Sequence, residues 1–143
     1  MKNTKQNPTS FRFIALPTFS DKRGCLTVLE FGEIIPFDVK RMFYIYDSPA
    51  NAIRGNHATY SPQIIICLQG SCSVILHDGK KEYAVELTSP EKGLFLPSLI
   101  WRSFSDFSSG CILLCLSDRA YSKTDYIEDF HLFLSIKNKI LQS

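Results

Sequence analysis

Between Phe11 and Leu116 the chain runs through ten short segments rich in β-branched and aromatic residues, with turn residues and no helical period between them. They span 11–16, 26–30, 40–46, 52–56, 63–69, 72–77, 81–87, 93–96, 100–104 and 111–116. Such side chains suit a pleated, half-buried surface, and each run ends in Gly, Pro, Asp, Asn or Ser. The sharpest signal is His77-Asp78-Gly79-Lys80, where Asp-Gly supplies the positive φ angles of a two-residue hairpin turn. Gln69-Gly70-Ser71 and Ser108-Ser109-Gly110 mark further turns. Strands at this spacing, without crossover helices, exclude a parallel sheet. They predict an all-β closed barrel or jelly roll.

One helix is predicted, at the end. From Asp125 the apolar residues Tyr126, Phe130, Phe133, Leu134, Ile140 and Leu141 recur at three- and four-residue steps. Thr124 or Asp125 can cap it, and Glu128 three residues after Asp125 suits a capping box. The helix is expected to cover one edge of the barrel. With 143 residues, a polar stretch at 1–10 and no linker, the chain is expected to form one domain over 11–143 behind a polar tail.

Charge narrows the partners. Sixteen basic residues meet fourteen acidic ones without a Lys/Arg block, so no nucleic-acid surface is expected, while a small anionic ligand fits. The apolar run at Ile64–Leu68 is far too short for a bilayer, and the polar first ten residues carry no export signal. Five cysteines, an odd number without CxxC spacing, argue against a disulfide framework or zinc site. A cytoplasmic protein without membrane contact is expected.

Three histidines are present. His77 precedes the hairpin turn and His131 lies on the terminal helix, both expected at the surface. His57 closes Ala52-Ile53-Arg54-Gly55-Asn56-His57 just ahead of the strand Gln63–Gln69. Strand alternation puts His57 and Thr59 on one face. An imidazole there is either a satisfied core residue or a group that takes and gives a proton near neutral pH.

The segment Arg54-Gly55-Asn56-His57-Ala58-Thr59, followed by Gln63-Ile64-Ile65-Ile66-Cys67-Leu68-Gln69-Gly70-Ser71, resembles the core of the sugar-nucleotide 3,4-ketoisomerases, small proteins of the cupin fold. Asp21-Lys22-Arg23-Gly24, Ile35-Pro36-Phe37, Lys40-Arg41-Met42-Phe43-Tyr44-Ile45, Trp101, Asp106-Phe107-Ser108-Ser109 and Thr124-Asp125-Tyr126-Ile127 extend the likeness over roughly residues 10–130. The resemblance implies a cupin-type jelly roll that isomerises dTDP-4-oxo-6-deoxyglucose to a 3-oxo sugar through an enediol. It implies a place in making 3-amino-3,6-dideoxy sugars for surface polysaccharide. Because hydrogen moves only as a proton, no cofactor is implied. It also implies a homodimer that exchanges N-terminal strands, with the Phe11–Leu16 strand covering a partner's open edge.

The family carries His-Ala-His where this chain has His57-Ala58-Thr59, and the loop to Gln63 is one residue shorter. His57 is then the expected proton shuttle, with Thr59 as a hydrogen-bonding partner of the enediolate and Tyr60 as a possible substitute for the missing imidazole. A metal-binding cupin needs three histidines and a carboxylate; His57, Thr59 and Gln63, with Trp101 and Arg102 in the later strand, do not supply them, so no metal is expected. Arg54 is expected to pair with a pyrophosphate oxygen, and Arg41 or Lys40 to assist from an inward position. Trp101 is expected to stack on thymine or sugar. Arg102 stands where related ketoisomerases differ and is expected to bias which face of carbon 4 is protonated, toward the gluco product. Two other readings use the same ligand: a 3,5-epimerase, with Tyr60 as acid, and a non-catalytic binding module, which the loss of the second histidine favours.

Overall fold

The computed structural model describes residues 10–142, so the polar tail expected over 1–10 lies outside it apart from Ser10. The described residues form twelve strands: β1 (Arg12–Ala15), β2 (Thr18–Asp21), β3 (Gly24–Thr27), β4 (Arg41–Ile45), β5 (Arg54–Thr59) and β6 (Gln63–Gln69). They continue as β7 (Cys72–His77), β8 (Glu82–Leu87), β9 (Lys92–Leu96), β10 (Trp101–Ser105), β11 (Ile112–Ser117) and β12 (Tyr126–Ile127), before the helix α1 (Phe130–Gln142). Two antiparallel five-stranded sheets result, in the orders β1-β9-β6-β11-β4 and β12-β5-β10-β7-β8, with β2 and β3 as a separate hairpin. The two ladders do not join into one ring, so the jelly roll is realised and the closed barrel is not.

Period-two alternation sorts the strand residues into three apolar layers. Ile65, Cys67, Cys72, Val74, Leu76, Leu94, Leu96 and Phe104 point between the sheets and form the main core. Ile64, Ile66 and Phe95 point the other way, against Leu16 and the segment carrying Ile34, Ile35, Phe37 and Val39. Ala58, Leu99, Ile127 and Trp101 form the outside of the second sheet and pack under Phe130, Phe133 and Leu134 of α1.

The helix starts five residues later than its apolar spacing predicts. Asp129, not Thr124 or Asp125, ends the preceding chain, its side chain accepting from the Leu132 N–H at 2.9 Å. Residues 123–125 instead make one 3-10 turn, and Tyr126–Ile127 pair with Thr59–Ala58 of β5. Tertiary pairing along β5 overrides the local helical spacing here. Among the described residues no helix is long and apolar enough to cross a membrane.

Candidate functional site

The site begins with a register break. Arg102 faces His57 across the β10–β5 ladder, but Ser103 faces Gly55 and Phe104 faces Arg54, so Asn56 is an extra residue on β5. Gly55 and Asn56 both take positive φ, 84° and 53°. A Cβ on Gly55 would lie 2.8 Å from the Arg102 carbonyl oxygen, so only glycine fits. Such a bulge re-aims side chains. Because of it Arg54 lies on the same face as His57, although three positions away.

His57 is half-buried, and its Nδ1 lies 3.0 Å from the Gly55 carbonyl oxygen. A carbonyl can only accept, so Nδ1 carries the proton and Nε2 keeps its lone pair. The ring stands edge-on to Tyr126 at 4.9 Å. Burial, reinforced by the Arg102 charge, lowers its pKa from 6.5 to about 4. At neutral pH His57 is thus a neutral base with a fixed tautomer.

Thr59 is fully buried. Its hydroxyl donates to the Ser61 carbonyl at 2.7 Å and accepts from Arg102 Nη1 at 3.1 Å. Its one proton is therefore committed, which corrects the expectation that it reaches an enediolate oxygen directly. Arg102 is 1% exposed, and desolvation lowers its pKa to about 10, leaving it cationic at neutral pH.

The facing sheet supplies a polar row. Arg41 pairs with Ser117 across β4–β11, and Ser117 with Gln63 across β11–β6. Gln63 shares the inward parity of Ile65 and Cys67. Arg41 is the inward member of the Lys40–Arg41 pair: its Nη2 donates to the Tyr126 hydroxyl at 2.9 Å. Its guanidinium also lies over the rings of Phe43 and Tyr121, at 4.9 and 5.5 Å. Tyr126 thus spans the mouth from Arg41 on one sheet to His57 on the other. Sequence reasoning missed it by assigning it to the helix, although Thr124-Asp125-Tyr126-Ile127 stood among the segments of the family resemblance. Asp125 is buried and accepts from both the Ser61 N–H and hydroxyl, with Arg119 at 3.6 Å, which fastens the 3-10 turn to the loop after β5.

Five buried polar atoms around this mouth have no hydrogen-bond partner among the described residues: Arg41 Nε, Gln63 Nε2, Arg102 Nε and Nη2, and Ser117 Oγ. Buried donors without partners are rare unless water or a ligand completes them. The arrangement can hold a polar, anionic molecule against a neutral imidazole.

Two expected residues stand apart. Trp101 alternates with Arg102 and so points outward, where Phe130 and Phe133 meet its ring at 5.2 and 5.7 Å. That corrects the expected stacking on ligand: the indole is packing under α1. Tyr60 is 40% exposed just past β5, with its N–H donated to the Asp125 carbonyl. Among the described residues no three His, Cys, Asp or Glu side chains converge as metal ligands.

The family model described as "FdtA: WxcM-like, C-terminal" matches residues 9–138. A TDP-4-oxo-6-deoxy-α-D-glucose-3,4-oxoisomerase of Aneurinibacillus thermoaerophilus is 40% identical over 121 residues, covering 84% of this chain and 87% of its own. A variant of the 3,4-ketoisomerase QdtA from Thermoanaerobacterium thermosaccharolyticum, solved in complex with TDP-4-keto-6-deoxyglucose, superposes with a TM-score of 0.88. It is 35% identical, and the match covers 90% of this chain and 94% of that one. WlaRA of Campylobacter jejuni, a TDP-fucose-3,4-ketoisomerase, gives a TM-score of 0.85 at 37% identity over 92% of this chain and 98% of that one.

Proposed function

Since this chain belongs to the FdtA family of WxcM-like C-terminal domains, we propose that it is a 3,4-ketoisomerase of dTDP-4-oxo-6-deoxyglucose. The observation that carries the reading is His57, a neutral imidazole with Nε2 unprotonated, facing buried donors that lack protein partners. The carbon-3 proton of the substrate is acidified by the adjacent ketone. Nε2 removes it, and the same imidazolium returns a proton to carbon 4, so one histidine serves both steps on one face. Arg54, Arg41 and Gln63 supply donors for the diphosphate and sugar oxygens. The 3-oxo product is the form that a transaminase can convert to a 3-amino sugar for surface polysaccharide.

The test is incubation with dTDP-4-oxo-6-deoxyglucose in deuterium oxide, followed by proton NMR. Deuterium at carbon 4 with a new 3-oxo product is the expected result. Exchange at carbon 5 would instead establish an epimerase, and TDP binding without exchange a non-catalytic module.

The lowered pKa makes a further prediction. As the free-enzyme base, His57 should keep kcat/KM level from neutral pH down to about pH 5, with the acid limb near 4 in place of 6.5. An acid limb at 6.5 in initial rates below KM would show that burial beside Arg102 does not lower the His57 pKa in the working enzyme. Stability follows the same group. Between pH 4 and 6.5 the unfolded chain binds more protons at this residue than the folded one, so stability rises with pH across that window and is complete above it.

We also propose a homodimer in which N-terminal strands are exchanged. β1 is the edge strand of the first sheet and pairs with β9, a contact that a second copy can supply equally well. At the opposite edge Met42, Tyr44 and Tyr46 of β4 and its end are each about 60% exposed, an apolar face suited to a partner. Light scattering should give the mass of two chains; the mass of one would end this proposal. The five free thiols favour a reducing, cytoplasmic setting, where nucleotide sugars are made.

A further inference from the structure

Arg102 keeps only one corner of its guanidinium occupied. Nη1 donates to Thr59, whereas Nε and Nη2 have no acceptor among the described residues, and the side chain is 1% exposed. Nε–H and Nη2–H lie parallel along one edge of the planar group, the fork that grips two oxygens at once. Among the described residues no carboxylate takes that edge: Asp125 is engaged by Ser61 and Arg119. A buried cation with two idle donors weakens a fold unless a ligand completes it.

The ketoisomerase intermediate presents a matching pair of oxygens. Within the sugar ring, O3 and O4 lie cis and coplanar across the C3=C4 double bond. We propose that the Nε/Nη2 edge of Arg102 receives both enediolate oxygens, and that Thr59 is the positioning residue that turns that edge toward His57. This rests on the ketoisomerase reading above.

The steps balance without a co-reactant. His57 Nε2 takes the carbon-3 proton, the C–H electron pair becomes the C3=C4 bond, and the carbonyl pair moves onto O4. The O3 proton passes to O4 while the fork holds both oxygens. Carbon 4 then takes a proton from His57, whose imidazolium N–H has exchanged with solvent, leaving C3=O and a carbon-4 hydroxyl. Charge shifts from one oxygen to the other without leaving the guanidinium edge, which is fixed before the reaction begins. Thr59 is itself fixed, since its proton is held by the Ser61 carbonyl. The chain thus has a threonine, paired with an arginine, where the family carries a second imidazole.

The experiment compares Arg102→Lys, Thr59→Val and Thr59→Ser with the parent, reading deuterium exchange for kcat and calorimetric titration with TDP for affinity. Arg102→Lys keeps the charge but not the fork, and kcat should fall about 10²–10³-fold. Thr59→Val should lower kcat roughly 10- to 100-fold by letting the guanidinium turn, and Thr59→Ser, which keeps the hydroxyl, should restore most of it. TDP affinity should change little in all three, which also certifies folding. Adding Thr59→Val to Arg102→Lys should cost almost nothing more, an outcome that a purely structural threonine would not give. Parental kcat in Arg102→Lys, or equal losses in Thr59→Val and Thr59→Ser, would overturn the inference and leave the ketoisomerase standing. A parent chain that exchanges nothing would overturn both.

Discussion

Replacing His57 by Asn is expected to remove turnover while TDP still binds. The asparagine amide can keep a hydrogen bond toward Gly55 but has no lone-pair nitrogen to take a proton. Loss of a positioned acid–base group is worth about 10²–10⁴-fold in rate. Here it should lie at the upper end, because one imidazole handles both proton transfers and Thr59 cannot replace it with its proton held by Ser61. Exchange at carbon 3 and TDP affinity, measured on the same preparation, decide the matter. Exchange within tenfold of the parent would reveal another base, with Tyr126 the first to test since its ring stands against His57. Lost affinity would mean that His57 builds the pocket and does not act in it.

Asp125→Ala should produce the largest loss of stability among the site's neighbours. The carboxylate accepts from the Ser61 N–H and hydroxyl in a buried setting. Its removal leaves two buried donors unpaired, at roughly 1–3 kcal/mol each. A net loss of about 2–4 kcal/mol should lower Tm by roughly 5–15 °C. Activity should fall as well, because the 3-10 turn that Asp125 fastens carries Tyr126 into contact with His57 and Arg41. Asp125→Asn, which keeps one acceptor, should lose less of both. An unchanged melting temperature in Asp125→Ala would show that the loop is held by the β12–β5 pairing alone.

The elements that sequence reasoning found best are those whose alternation is uninterrupted. The expected strands at 63–69 and 72–77 coincide with β6 and β7, since both faces of these segments are apolar or cleanly alternating and each ends at a turn. The β2–β3 hairpin was less legible: Thr18–Asp21 lacks an apolar run, and its ladder is held mostly by backbone, with Phe19 and Leu26 exposed. His57 stood out through its motif, and the β10–β5 ladder sets it opposite Arg102. Tyr126 was not, because its spacing to Phe130 and Phe133 is also helical and only the pairing with Thr59 decides against it. Trp101 looked like a ligand platform by residue type, yet its parity relative to Arg102 sends it under the helix. Residue chemistry proposes candidates; strand parity selects among them, and parity depends on where bulges fall.

The extra residue in β5 acts on the strand as a frameshift acts on a message. Downstream of Asn56 the lumen is spelled by His57 and Thr59; upstream the frame has moved by one, and Arg54 is read into the same chamber. Column-by-column comparison of pocket residues holds only within one frame. A graft of this pocket onto another scaffold must carry Gly55-Asn56 with it, because without them the arginine would be transcribed onto the outer surface and the histidine would face its ligand alone.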